Sequence, residues 1–291
     1  MPAAYLPDRG IVHVGGDDAT SFLQGLVTSD VEKLGPGQAR FGALLSPQGK
    51  ILFDFIIVAA PDRRGGGFLL DTPRALVPDL ARRLGFYKLR AKLTIEDLSE
   101  TIAVAVRWGG HTARHHDEIA FMDPRFKAMG ERIIAERAPI EAFGVESFDI
   151  YHAHRIRHGV PEGGKDFIYG DAFPHEADMD QLNGVDFAKG CYVGQEVVSR
   201  MEHRGTARNR VVPVSFDAFA PDAGVPVTAG DKPVGTMGSS ASGHGLAMLR
   251  LDRVADAQAA GTPLMAGGIA LRPVKPRWAR FAWPGEAKAA G

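Results

Sequence analysis

The chain has 291 residues, enough for about two domains and a large buried core, and a formal net charge of −1 that gives no pull toward nucleic acid or an acidic membrane. A hydrophobic share of 45% excludes a disordered chain, and 35 glycines point to many turns and a strand-rich fold. The single cysteine excludes an internal disulfide.

The first residues, Met1 to Arg9, contain no apolar core of signal-peptide length. The longest apolar run, Ile51 to Ala60, is far short of a membrane span and carries Asp54 in its middle, so the expectation is a cytoplasmic chain. Ile11 to Val14 reads as a short strand. Asp17 or Asp18 can cap a helix that places Phe22, Leu23, Leu26 and Val27 on one face. Ala39 to Leu45 and Ile51 to Ala59 read as two strands of a hairpin, joined by a turn whose Pro47 and Gly49 favour reversal. A tip at residues 61–67 follows. Phe68 to Leu70 resumes a strand, Pro73 to Leu84 reads as a helix with proline in its first turn, and Leu93 to Leu98 is another strand. Strand, strand, helix and strand in this order imply an antiparallel α+β arrangement.

The basic stretch Tyr87 to Lys92 is either a solvated strand edge or a contact for a carboxylate ligand. Asp97 reads as an exposed turn aspartate. The histidine-rich stretch from His111 to His116 lacks a second ligand cluster of recognisable spacing and reads as a loop. On a helix around Tyr151 to His158, His154 and His158 lie one turn apart, but two imidazoles without a carboxylate or thiolate make a weak site, and no metal is assigned. That helix stops at Gly159-Val160-Pro161. Beyond Arg204-Gly205, short strands at Arg210 to Phe216, Val225 to Val227, Val234 to Gly238, Ala247 to Leu251 and Ile269 to Leu271 suggest a small β-barrel. The string Gly238 to Gly245 lacks the lysine and helix of a phosphate loop and reads as a turn.

The stretch that most resembles chemistry is Lys189-Gly190-Cys191-Tyr192-Val193-Gly194-Gln195-Glu196-Val197-Val198-Ser199-Arg200. Gly190 and Gly194 free the backbone, and Gln195 to Met201 has the composition of a helix. Cys191 is then expected at or just before a helix start, where the helix dipole and the Lys189 ammonium favour the reactive thiolate. The alternative is a small apolar side chain packed under a turn.

This run, with Pro174-His175-Glu176-Ala177 and Leu182-Asn183-Gly184-Val185-Asp186-Phe187 before it, resembles the signature of the YgfZ-type folate-binding proteins. That family is implicated in iron–sulfur cluster assembly and repair and is related to the aminomethyltransferase (T-protein) of the glycine cleavage system. Phe22 to Val31, Pro47-Gln48-Gly49-Lys50-Ile51-Leu52 and Arg155 to Pro161 are similar to further elements of the family. The resemblance implies an α+β aminomethyltransferase-like fold with three lobes. Residues 1–205 would form a folate-binding part of two interleaved subdomains, and 206–291 a C-terminal β-barrel.

It further implies tetrahydrofolate as cofactor, held by Glu176, with Arg155 on a bordering helix. Tyr151 would either cover the pterin ring or pack as a core tyrosine. Cys191 would be the functional thiol and Lys189 its neighbour. No catalytic role is carried onto Asp97. The implied function is a tetrahydrofolate-binding factor for assembly or repair of iron–sulfur enzymes, with client or assembly proteins as partners. The alternative is a folate-dependent one-carbon transferase. One cysteine cannot supply the usual four thiolates of a cluster, so a cluster role would lie in assembly or handling.

Overall fold

The computed structural model describes residues 2–62, 65–110, 118–141, 146–205, 207–217 and 219–285. The chain forms two compact units that alternate along the sequence: Met1–Tyr151 with Leu182–Gln195, and His152–Gln181 with Glu196–Gly291. The barrel strands begin at Asn209. The preceding residues 152–181 and 196–204 belong to the same unit as those strands.

The first unit contains two antiparallel sheets. Strands β1 (Ala3–Tyr5), β2 (Arg9–Gly15), β3 (Ala39–Leu45), β4 (Ile51–Ala59), β5 (Phe68–Pro73), β6 (Thr94–Asp97), β7 (Ile102–Arg107), β8 (Ile119–Met122) and β9 (Glu131–Glu136) are ordered β3-β4-β5-β2-β6 in one sheet and β1-β7-β9-β8 in the other. Consecutive strands β1 and β2 therefore go to different sheets, which interleaves the two halves. The β3–β4 hairpin has the expected limits. Ser46 and Gly49 close its turn by a backbone hydrogen bond of 2.8 Å, with Gly49 at φ +80°, a conformation that favours glycine.

The alternation of β4 puts Phe53, Phe55, Ile57 and Ala59 on one face. They pack there with Val12, Val14, Leu44 and Leu70, and with Leu23 of α1 (Ala19–Gln24) and Val77, Leu80 and Leu84 of α2 (Val77–Lys88). Two helical expectations need correction. Helix α1 ends before Leu26 and Val27, and although Asp18 stands at its N-cap its side chain makes no capping bond; its Oδ2 instead accepts the Lys92 backbone N–H at 2.7 Å. Pro73 closes β5, and α2 runs from Val77 through Tyr87 and Lys88. The start of the basic stretch is thus helix and not a strand edge, because Tyr87 packs its ring on the apolar core.

Beyond β9 the chain forms the short α3 (Arg137–Glu141). Charged side chains join the two sheets inside this unit. Asp71 of β5 pairs with Arg9 of β2 at 2.6 Å and with Arg132 of β9. Arg132 also reaches Asp123 at 3.2 Å, and Asp123 holds Arg125 through two hydrogen bonds of 3.0 and 2.7 Å. Burial would raise the Asp123 carboxyl, but Arg125 and Arg132 outweigh it and hold it down at about 2.

The second unit contains α5 (Gln195–Arg204), apart from its first residue, and a closed barrel ordered β10-β13-β12-β11-β14-β15. Its strands are β10 (Asn209–Ser215), β11 (Pro226–Ala229), β12 (Lys232–Ala241), β13 (His244–Arg250), β14 (Leu264–Ala266) and β15 (Ile269–Pro273). Pairing of β10 with β15 closes the barrel, which removes free sheet edges. Val212, Val214, Val227, Met237 and Leu249 fill its core, covered by Val254 and Ala257 of α6 (Leu251–Ala259). The glycine-serine string is mostly strand: β12 continues through Ala241, and only Ser242 and Gly243, at φ +51° and +75°, make the turn.

The Asp71–Arg132–Asp123–Arg125 network generates a stability prediction. Asp123→Asn should cost about 3–5 kcal/mol, because two buried guanidinium groups lose their shared carboxylate. The wild-type folded carboxyl titrates below its unfolded counterpart. Its contribution should therefore be complete above about pH 4 and fall away toward pH 2, as denaturant unfolding at several pH values would show. An Asn variant as stable as wild type at pH 7 would contradict this.

Candidate functional site

Residues 182–195 return to the first unit after the chain has entered the second. Local hydrogen bonds explain why the segment is irregular yet fixed. Thr28 Oγ1 donates to the Gly184 carbonyl at 2.6 Å, and the Asp186 N–H donates to the Thr28 carbonyl at 2.9 Å. Asp186 Oδ1 then accepts the N–H groups of Ala188 and Lys189 at 2.9 and 3.1 Å, which turns the backbone tightly.

Lys189 is the deepest anchor. Its Nζ donates to the carbonyls of Gln24 (2.8 Å), Val27 (2.6 Å) and Ser29 (3.0 Å), acceptors that lie at and just beyond the C-terminal end of α1. An ammonium has three donors, and each one has an acceptor here. Burial pulls its pKa down to about 8, while the Asp30, Asp186 and Glu32 carboxylates favour the charged form. The buried Tyr192 ring lies 5.3 Å from the same Nζ, and burial pushes its phenol up to about 12. Gly194 is the second anchor. At φ +82° it lies against the β3–β4 turn, where an added Cβ would come within 2.5 Å of the Ser46 carbonyl oxygen.

Between these anchors Cys191 is exposed. It precedes α5, which starts at Gln195 as its composition suggests. The packing alternative for Cys191 is thereby excluded. Lys189, expected beside the thiol, directs its donors into the end of α1 and holds the segment. Gly194 and not Gly190 is the glycine the backbone requires, since a Cβ on Gly190 meets nothing within 4 Å. The arrangement offers one soft sulfur ligand or nucleophile on a pinned loop.

In the second unit, Glu176 is half-buried. Its Oε1 accepts Asn209 Nδ2 at 2.8 Å and its Oε2 accepts the Phe173 N–H at 2.9 Å, so each oxygen keeps a lone pair for another donor. Arg155 is 2% exposed and bonds Asp166 and the Val160 carbonyl at 2.7 Å each and Ser239 Oγ at 2.9 Å, an internal tie between α4 (Phe148–Arg157) and β12. Tyr151 is 2% exposed in the first unit, with its ring 5.6 Å from that of Trp108, and burial raises its phenol. The core-tyrosine alternative describes this packing.

The His154 and His158 rings lie 4.5 Å apart, and burial, aided by His154, Arg277 and Arg157, lowers His158 to about 4. Those neighbouring cations oppose a bound metal. His175, Asp180 and Glu202 bring ligand atoms within 4.8 Å of one another, but Asp180 already holds Arg210 through bonds of 2.5 and 2.9 Å. Asp97 ends β6 and accepts the Ser99 N–H at 2.9 Å, a local turn contact. His111 to His116 lie outside the described residues. Sequence reasoning missed the buried network around Asp71 and Asp123, for which only the short Asp-x-Arg spacing at Asp123 and Arg125 gave a signal.

Comparison with known proteins bears on all of this. Residues 208–281 match the family model of the CAF17 C-terminal beta-barrel domain. The chain is 31% identical over 277 residues to the mitochondrial iron–sulfur cluster assembly factor IBA57 of Mus musculus, an alignment covering 86% of this chain and 77% of the relative. The Homo sapiens protein of the same name is 32% identical over 275 residues, with the same two coverages. The IBA57 homologue of Mycosarcoma maydis is 36% identical over 229 residues, covering 73% of this chain and only 57% of the longer relative. Among solved structures, the glycine cleavage system aminomethyltransferase T from Bartonella henselae superposes with a TM-score of 0.74 at 15% identity, covering 97% of this chain and 87% of that one. This establishes the aminomethyltransferase-like fold. The relatives' names place them in mitochondria, which overturns the cytoplasmic expectation. That expectation rested on the first residues and on short apolar runs. The second observation stands by itself: among the described residues no helix is long and apolar enough to cross a membrane.

The clamp predicts that Lys189→Met lowers unfolding free energy by about 3 kcal/mol, since three carbonyls lose a charged donor. Denaturant unfolding tests this, and hydrogen exchange should rise in residues 184–194. Unchanged stability together with unchanged exchange would deny the lysine its anchoring role.

Proposed function

Because the chain belongs to the IBA57 family of iron–sulfur cluster assembly factors, within the YgfZ group that its Lys-Gly-Cys-Tyr run resembles, we propose that it supports assembly or repair of iron–sulfur enzymes through Cys191. The observation that carries this reading is the exposure of the only thiol on a loop pinned at Lys189 and Gly194. A single thiolate falls short of the four that usually hold a cluster, so the cluster is substrate, and a client or assembly protein supplies the remaining ligands.

Tetrahydrofolate is the second part of the proposal. Glu176 fits the role of pterin acceptor because its two carboxylate oxygens keep acceptor capacity and are already oriented by Asn209 and the Phe173 N–H. Arg155 fits a supporting role, fixing α4 from within. When bound, the folate would supply one-carbon or redox-active pterin chemistry; the residues of this chain bind and orient it.

Two variants separate the parts. Cys191→Ser should fold and bind tetrahydrofolate like wild type, yet fail to restore cluster-enzyme activity in cells lacking the protein; full rescue would remove the thiol from the mechanism. Glu176→Gln should keep the unfolding midpoint and weaken tetrahydrofolate binding more than about tenfold by calorimetry, the loss of one charge-assisted hydrogen bond. Unchanged affinity would remove Glu176 from the site. Turnover of tetrahydrofolate with a methylated amine donor would favour one-carbon transfer over cluster assembly.

A further inference from the structure

Both sheets of the first unit end in an open edge, and the two edges border one groove. Strand β3 is the outer strand of the five-stranded sheet and β8 the outer strand of the four-stranded sheet. A depression of about 340 Å³ is lined by Ala39 and Arg40 from β3 and by Ala120, Phe121 and Met122 from β8. It adjoins a second one of about 520 Å³, which shares Ala39, Arg40 and Met122 and extends to Arg125 and Lys127.

The register shows which backbone groups face outward. The Ala59 N–H bonds the Gln38 carbonyl, so residues 38, 40, 42 and 44 direct their hydrogen bonds toward β4, and Ala39, Phe41 and Ala43 point away from it. Thr28 satisfies Ala43 on that outer side, through its own N–H at 3.0 Å and its Oγ1 at 2.9 Å. Ala39 and Phe41 have no such partner among the described residues. The same counting holds for β8. The Asp123 N–H bonds the Gly130 carbonyl, so Ile119 and Phe121 face β9 while Ala120 and Met122 face outward, again without a backbone partner among the described residues. Of these, Ala39 and Met122 are accessible while Phe41 and Ala120 are buried, so each edge offers one accessible set of outward N–H and C=O groups, the groups that an extended chain satisfies.

The charge around the groove is one-sided. Arg40 and Lys127 are exposed and form no ion pair among the described residues, whereas the acid in the lining, Asp123, is buried and already neutralised by Arg125 and Arg132. An occupant that is extended in backbone and acidic in side chains matches both features.

We propose that the groove between β3 and β8 is a docking site for an extended, acidic segment of a partner protein, which adds its backbone to the open edge of β3. Asn183, at the start of the segment that carries Cys191, also lines the second depression, and the proposal does not depend on the cluster reading.

The test uses a fluorescein-labelled peptide of alternating Glu and Val, about ten residues long so that it exceeds both edges. Fluorescence anisotropy with the full chain should show saturable binding. Methylating alternate peptide amides should weaken it at least tenfold, since a methylated amide cannot donate to a strand edge. Replacing Glu by Lys should abolish it. The double variant Arg40→Glu, Lys127→Glu should bind the acidic peptide at least tenfold more weakly while keeping the wild-type unfolding midpoint. Ala39→Pro, which removes an outward N–H and leaves the β4 ladder bonds in place, should do the same. Absence of saturable binding, equal binding of the Lys peptide, or indifference to methylation would overturn the proposal. So would a concentration-dependent dimer that Ala39→Pro dissolves, because the occupant would then be a second copy of this chain.

Discussion

A buried ammonium closes the chain back onto its own beginning. Lys189 donates to the Gln24 carbonyl 165 residues away in sequence, and to two further carbonyls beside it, at a helix end that would otherwise leave acceptors unsatisfied away from water. Together with the Thr28 bonds to Gly184 and Asp186, that donor ties the segment from Leu182 to Gln195 to the first unit. The thiol follows from this constraint. Lys189 and Tyr192 go inward on one side and Gly194 fits against the β3–β4 turn on the other, so the intervening Cys191 faces solvent.

Elsewhere the irregular stretches are held by the same device, charge satisfied inside the protein. Arg210 joins Asp180 to the barrel strand β10, and burial drives the neighbouring Asp178 carboxyl well up despite that guanidinium. Arg155, Asp166 and Glu162 tie α4 to the loop that follows it, and Asp71 and Asp123 link the two sheets of the first unit. Buried pairs of this kind add little net stability but penalise strongly any arrangement that separates them, which suits loops with few regular backbone bonds. The aminomethyltransferase T fold persists at 15% identity, so the architecture alone does not state the chemistry; the exposed sulfur and the Glu176 carboxylate carry the functional reading.

Much of the scaffold was legible because local chemistry and global packing agree there. The β3–β4 hairpin has a strong turn between two apolar runs, the second β-branched and aromatic, α5 begins after a required glycine, and the barrel strands are punctuated by Gly and Pro. Where local signals conflict with packing, the sequence misled. The α1 pattern continues to Val27, but the chain turns after Gln24 so that carbonyls there can meet Lys189. Tyr87 and Lys88 look like a basic edge yet finish a helix because Tyr87 packs on the core. Helix α6 is rich in Ala and Asp and gives no strand or turn signal, and β14 has only three residues. The buried charges were the least legible, since an Asp in a strand gives no sign of which arginine will meet it. The candidate site was found through the Lys-Gly-Cys-Tyr run, but the partner of Lys189 was misjudged. Proximity in sequence suggested the thiol, whereas its acceptors come from residues far earlier in the chain.

The central claim is that the pinned loop presents Cys191 to solvent in the native state. The most direct measurement is the rate of Cys191 alkylation by iodoacetamide at neutral pH, in native buffer and in denaturant. The account predicts a native rate within about tenfold of the unfolded rate, with no dependence on global unfolding. A native thiol protected by several orders of magnitude, and released only as the protein unfolds, would contradict it.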